Sequence, residues 1–342
     1  MERGAPLPPD PRPRLPRARG PLTDFLVAHL ERPPHPLPPC PPAEDDALAG
    51  DDFHLALYLC YELHYRSFAG VDEAWEWDPG LLGVRRTLES LFELALVSQV
   101  GAAPWQGDVV DELRRLVAEA DGPSLSAHMA EQGTLDQIRE FAVHRSAYQL
   151  KEADPHTWAI PRLTGRAKAA MVEIQADEYG GGLEADMHAS LFADTMAALG
   201  LDPTYGAYLD RLPGPTLATV NLVSLFGLHR RHRGALVGHL AVFEMTSVVP
   251  MARYSRALAR LGLRPRARRF YDVHVEADAR HSVVATDRMA AGLAASEPAL
   301  APDIVFGARA IMDVEGRFTD HLLGSWGGGR SSLLDAVPCP SP

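Results

Sequence analysis

The sequence predicts an all-α fold, a helical bundle, and three observations carry that prediction. Apolar residues recur at helical spacing over most of the chain from Asp51 onward. Strong breakers separate the periodic stretches: Asp154-Pro155, Ile160-Pro161, Gly180-Gly181-Gly182, Gly200-Leu201-Asp202-Pro203 and Pro213-Gly214-Pro215. No stretch alternates with period two and β-branched enrichment. The nearest, Ser247-Val248-Val249-Pro250, is short and ends in proline.

In chain order, residues 1–48 read as a disordered, Pro-rich tail. Fourteen of the 29 prolines fall in the first 42 residues, and proline at that density removes backbone donors and excludes helix interiors. A solvated leader is favoured there over a ligand for an SH3-type domain. Residues 49–123 predict a unit of three helices. The first begins near Phe53 with Asp51 and Asp52 as caps; the others span about 79–100, ended by Ala102-Ala103-Pro104, and about 108–119. This unit is expected to pack on the rest or on a second copy, giving a homodimer. Residues 124–325 predict helices near 124–131, 134–151, 165–179, 185–199, 203–210, 216–233, 235–262, 266–291 and 301–316, and 326–342 a flexible tail.

Composition narrows the function. The 342 residues carry 33 Lys+Arg against 45 Asp+Glu, a formal net charge of −12, which argues against nucleic acid as a partner. No apolar run reaches the roughly 18 residues of a membrane span, and residues 1–20 lack the apolar segment of a secretory signal. Cys40, Cys60 and Cys339 are too scattered for a disulfide framework or a zinc site, so a reducing, cytoplasmic setting is expected.

The informative segment is Tyr271-Asp272-Val273-His274-Val275-Glu276-Ala277-Asp278-Ala279-Arg280-His281. His274, Asp278 and His281 fall at about 0°, 40° and −20° around a helix, one stripe. Tyr271, Ala285 and Met289 share that stripe, so it faces inward. Two imidazoles and a carboxylate inside a bundle need partners. A buried ion-pair cluster is one solution; a bound divalent metal is the simpler one. Bundles build dinuclear sites with carboxylates from facing helices, and several are available. Glu173 and Glu178 lie about 140° apart, so one of them faces a given centre. Glu178 precedes three glycines, where a backbone can bulge around a site. Glu184 shares a face with His188 and competes with Glu178. Glu244 lies in an apolar helix, and Glu152 ends another. The paired Glu-x-x-His signature of ferritin-like bundles is missing; Asp51-x-x-His54 and Asp278-x-x-His281 are its nearest analogues.

His274-x3-Asp278-x2-His281, with upstream Glu152, Glu178 and His188, resembles the haem-oxygenase-like di-iron oxidases, the iron-containing redox enzyme family. The surrounding text is similar too: Glu152-Ala153-Asp154-Pro155-His156, Glu173-Ile174-Gln175-Ala176-Asp177-Glu178-Tyr179-Gly180 and Phe226-Gly227-Leu228-His229-Arg230. The likeness covers roughly 140–320, and residues 49–123 resemble the helical arm of some members. Ligand order and spacing look most like members that oxidise nitrogen on an amino-acid-derived substrate.

The resemblance implies a haem-oxygenase-like bundle without haem, and Glu152, Glu178, His188, His274, Asp278 and His281 as iron ligands. Glu244 would be a catalytic carboxylate that binds or shifts onto the metal. It implies two Fe(II)/Fe(III) ions, O₂ as co-substrate and a small organic substrate. N-oxygenation, hydroxylation, desaturation and oxidative C–C cleavage are the candidate outcomes. An oxygen-rich, thiolate-free donor set suits iron or manganese. Asp177, Glu184 and Glu276 are candidates to orient the ligating rings. With no flavin or nicotinamide fingerprint in the chain, a ferredoxin-type external electron donor is expected. Tyr179, Tyr271, Phe226, His229, Arg230 and Arg253 are candidate substrate contacts, and Arg230-Arg231-His232-Arg233 a candidate carboxylate clamp. Two other classes stay open. One is a metal-free helical enzyme, thiaminase-like or a cofactor-synthesis oxidase, for which Cys60 is the one helical cysteine. The other is a non-catalytic iron-binding protein.

Overall fold

The computed structural model describes residues 12–101 and 107–335. Among these the chain runs through α1 (Pro21–Leu30), α2 (Asp51–Glu62), α3 (Pro79–Val100), α4 (Val109–Ala118), α5 (Leu125–Glu131), α6 (Leu135–Gln149), α7 (Asp154–Thr157), α8 (Gly165–Glu178), α9 (His188–Ala198), α10 (Gly214–Leu228), α11 (Arg233–Arg260), α12 (Pro265–Val283), α13 (Ala291–Ser296) and α14 (Ala301–Gly327), with no strand. Local chemistry explains the boundaries. Side chains of Asp78, Asp108, Ser124 and Thr134 accept hydrogen bonds from the first turns of α3, α4, α5 and α6. Pro79, Pro265 and Pro302 sit in first turns, where no donor is lost.

Helix α11 is the central element, packed along α12 and α14. By length and composition the stretch Arg230–Arg260 is the one described segment long and apolar enough to cross a membrane. In the fold it is a core helix with Glu244 buried midway. Its approach to α14 needs two glycines. A Cβ on Gly238 would meet Ile304 O at 1.8 Å, and one on Gly307 would meet Ala235 O at 2.0 Å, so the backbones touch. Pro250 lies inside α11. Helix α12 passes after Val283 into a π-helical stretch, Val284–Ala290, and on into α13. Such turns widen the helix and recur beside functional sites.

Four expectations are corrected. Residues 12–48 are not a disordered tail: α1 buries Leu22, Leu26 and Leu30 in the same apolar cluster as α2, α10 and α14. Asp52 does not cap its own helix; its carboxylate accepts from the backbone N–H of Leu22 and Thr23 (both 2.9 Å) and from Thr23 Oγ1 (2.6 Å), tying α1 to α2. No α-helix forms over 203–210, because Asp202 accepts from the Thr204 N–H and Gly206 takes φ 77°, leaving a short 3₁₀ turn at Leu209–Arg211. Nor does α14 stop at Gly316: Phe318 and Leu322 continue its buried face, and Ser332 and Leu333 pack beyond it, so 326–335 is no loose tail. Residues 1–11, Ala102-Ala103-Pro104, Cys339 and the rest of 336–342 lie outside the described residues. One continuous apolar cluster joins α1–α4 to α8, α10, α11 and α14.

Candidate metal centre

Five segments converge on one buried polar core. Helix α12 supplies His274, Asp278 and His281, all buried on one stripe. Glu178 ends α8 and His188 begins α9. The three glycines between them take φ 62°, 61° and 86°. This is left-handed backbone that glycine adopts without strain, and it turns the chain tightly enough that a Cβ on Gly180 would lie 2.5 Å from Met187 N. Helix α11 supplies Glu244. Glu152 stands just before Ala153, a non-glycine residue at φ 76°. Strain of that kind costs about 1 kcal/mol or more and persists only where its surroundings hold it. Here Gln175 on α8 donates to Ala153 O (2.8 Å), and Tyr179 donates to Asp154 Oδ1 (2.9 Å).

The distances define two overlapping groups. One donor atom each from Glu152, Glu178, His188 and His274 lie within 4.8 Å of one another, and so do atoms of Glu178, Asp278 and His281. Glu178 belongs to both. His188 Nδ1 is 2.7 Å from Glu178 Oε2, His274 Nε2 is 3.7 Å from Glu152 Oε2, and His281 Nδ1 is 3.6 Å from Glu244 Oε2 and 3.7 Å from Asp278 Oδ1. The outer ring nitrogens are engaged elsewhere. His274 Nδ1 donates to Phe270 O (2.7 Å), and His281 Nε2 donates to Asp177 Oδ2 (2.8 Å). In a neutral ring that leaves the inner nitrogen with a lone pair directed into the core.

Whether a metal suits this core follows from what its polar atoms lack. Glu152 Oε2, His188 Nδ1, His274 Nε2, both carboxylate oxygens of Asp278 and His281 Nδ1 are buried without a hydrogen-bond partner. So many orphaned acceptors in one place would cost several kcal/mol. A cavity of about 20 Å³ lies among Glu152, Glu178, Glu244, His274 and Asp278, bordered by Tyr148, His156, Gln175 and Phe243 as well. Divalent cations, one in each donor group, would satisfy these atoms, and imidazole plus carboxylate is a donor set that suits iron.

Electrostatics agree. Burial pushes the Glu178 carboxyl up to about 7, against the pull of His274. Burial and the Glu244 charge take Asp278 to about 6. Glu152 and Glu244 are raised by burial. Burial and the charge of His274 hold His188 down at about 4. Burial alone would lower His274 and His281 too, but Glu152 lifts the first to about 10 and Glu244 the second to about 9. The core therefore holds protons that a cation would displace.

A family model described as iron-containing redox enzyme matches residues 139–316, more than half of the chain and every residue of this core. The chain belongs to that family. Its fold is accordingly the all-α, haem-oxygenase-like one. A search of curated proteins finds no match.

Within this family frame, all seven predicted site residues come together. Glu184 is exposed on a 3₁₀ turn, which resolves its competition with Glu178. Glu173 points away and pairs with Arg288 at 2.6 Å. Of the three candidates to orient a ring, Asp177 does so; Glu276, like Glu184, is exposed. Three of the four residues in the basic run at 230–233 are already paired, Arg231 and His232 with Glu93 and Arg233 with Glu297, while Arg230 is exposed. His229 binds Glu89 (2.8 Å), Phe226 is core, and Arg253 reaches Ser124 (3.2 Å). Cys60 is buried and its thiol is pushed up to about 12 by burial, which makes it a poor nucleophile. Sequence reasoning missed the buried pair His156–His239 (3.1 Å), of which His156 borders the cavity. His156 stands three residues after the strained Ala153, and that motif was its one signal.

Proposed function

We propose that the protein is a non-haem di-iron oxidoreductase that uses O₂ to oxidise a small organic substrate. The observation that carries this reading is that Glu178 belongs to two donor groups at once. A carboxylate shared between two sets of ligands is how bundles hold paired ions. Glu152, His188 and His274 would hold one iron, Asp278 and His281 with Glu244 the other, and Glu178 would bridge. Bound iron would supply O₂ activation through its change of oxidation state.

The chain's own residues do the rest. The Phe270 carbonyl and the Asp177 carboxylate fix the ring planes of His274 and His281. The Ala153 turn sets Glu152, and the triple-glycine turn brings His188 to Glu178. Glu244, raised by burial, is the carboxylate suited to hold a proton beside His281. Phe243 and Tyr148, whose rings meet at 5.5 Å, keep bulk water from the cavity. The reaction would draw electrons from an external donor of ferredoxin type. The resemblance to N-oxygenating members makes nitrogen oxidation of an amino-acid-derived substrate one outcome within this class; hydroxylation, desaturation and C–C cleavage are others. A homodimer in the cytoplasm is the proposed setting.

The test is anaerobic reconstitution with Fe(II), then mixing with O₂. The expected result is stoichiometric O₂ consumption with a transient visible absorption band. Iron uptake without O₂ consumption favours a non-catalytic iron-binding protein.

A further inference from the structure

A second cavity, of about 520 Å³, lies directly behind the metal centre. That volume suits a small organic ligand. Its inner wall is one helical turn from the site: Gln149 precedes Glu152 by three residues, Tyr271 precedes His274 by three, and Ser247 follows Glu244 by three. Phe243 borders both cavities. The cavity has direction. Phe141, Arg145 and Gln149 recur every four residues along α6, and Glu315 on α14 meets Arg145 in a two-pronged ion pair (2.8 and 2.6 Å) halfway along. That pair is self-neutralising. The outer rim then carries Asp121 and Asp320, both exposed and neither in an ion pair among the described residues. At the inner end Gln149 is 4% exposed, and its Oε1 has no hydrogen-bond partner. Between the ends the walls are apolar and aromatic, with Phe141 and Tyr254 in contact at 4.7 Å.

From these features we infer that the chamber is the substrate site, and that it takes an elongated organic cation. The protonated amine lies at the Asp121–Asp320 rim and an apolar body runs along Phe141 and Tyr254. A hydrogen-bond donor at the far end meets Gln149 Oε1. The donor-bearing end, not the charged one, is then presented toward the metal centre across Phe243. Two unpaired carboxylates against one guanidinium, Arg253 held by Ser124 and Ser126 (3.2 and 3.4 Å), leave the mouth net negative and favour a cation over an anion, and a buried acceptor without a partner selects a ligand with a donor. This assignment rests on the di-iron reading for its catalytic meaning; its binding test does not.

The experiment is calorimetric titration of the full chain, anaerobically loaded with Fe(II), with iron content measured on the same sample. The probe is ω-aminooctanol; octylamine lacks the inner donor and ω-hydroxyoctanoate reverses the charge. The chamber predicts that ω-aminooctanol binds roughly tenfold or more tightly than ω-hydroxyoctanoate, and several-fold more tightly than octylamine. A plug is available in Gly316→Phe: Gly316 lines the chamber on α14, and a Cβ there meets nothing within 4 Å. That variant should lose binding while keeping its iron. The double variant Asp121→Asn, Asp320→Asn should weaken ω-aminooctanol roughly tenfold. Absence of amine binding, equal affinity for the carboxylate, binding that survives the plug, or indifference to the rim variant each overturns the assignment. Equal affinity for octylamine overturns the role given to Gln149. Amine binding in a chain that takes up no iron would instead sink the di-iron reading and leave the chamber standing.

Discussion

Two buried polar clusters begin at adjacent residues, Lys151 and Glu152, and they treat their charges in opposite ways. Lys151 is 1% exposed and Glu62 0%. Lys151 Nζ donates to Glu62 Oε2 at 2.9 Å, and Tyr205 donates to the same oxygen at 2.7 Å. The Tyr65 ring lies 4.0 Å from the ammonium, and Glu62 Oε1 accepts from the Arg66 N–H. Both charges are matched within the chain. One residue further on, Glu152 opens a cluster of comparable burial in which carboxylates and imidazoles face each other with their inner atoms unpartnered. A fold that can close one such cluster has not failed at the other; the second is shaped around something the chain does not supply. The difference is a ligand expectation read from hydrogen-bond accounting alone.

The comparison breaks first at the closed cluster. Glu62→Gln leaves a buried ammonium without a counter-charge and should cost about 3–5 kcal/mol in chemical denaturation. A loss under 1 kcal/mol would mean that the cluster is not closed by this pair. The open cluster should respond in the reverse manner. His281→Ala and Asp278→Ala should each lose at least one metal and remain helical by circular dichroism, and metal-free Asp278→Ala should unfold no earlier than the metal-free parent, because both deleted carboxylate oxygens had no partner. Full iron content in either variant removes that residue from the ligand set.

A finer test lies one bond away from the core. Asp177→Asn weakens the acceptor that orients His281 and should reduce iron affinity by roughly 10–100-fold, while losing the half-exposed ion pair to Arg280 should cost about 1 kcal/mol of stability or less. The smallest effect belongs to a third kind of ion pair, at the surface. Glu93 joins α3 to the Arg231–His232 turn; burial would raise its carboxyl, but His232 and Arg231 hold it down at about 2. A depressed carboxyl stabilises the fold above its ordinary value of 4.5, and that contribution fades as pH falls toward 2. Because Arg231 is half exposed, Glu93→Gln should cost about 1 kcal/mol or less at pH 7, and nothing once pH is well below that depressed value.

How far the sequence alone carries depends on the range of the interactions involved. The stripe His274–Asp278–His281 was legible because helical geometry places i, i+4 and i+7 together whatever the tertiary structure. The triple glycine was legible as a weak point, although its left-handed turn was not. Residues 12–48 were misread because proline density hides three leucines, Leu22, Leu26 and Leu30, whose spacing of four is helical. Asp52 was assigned to the wrong helix because an N-cap spacing does not reveal a partner 29 residues away. The choice of Glu178 over Glu184 and Glu173 needed three-dimensional placement, since each has a plausible helical phase. The Arg145–Glu315 pair and the chamber around it join residues 170 apart in sequence, and no local pattern announces them.

The most direct measurement is an anaerobic Fe(II) titration of the purified full chain, read as bound iron per chain, alongside Glu178→Ala. The account predicts about two irons per chain in the parent, and loss of both when the shared carboxylate is removed. A parent that binds none, or a Glu178→Ala variant that keeps both, would contradict it.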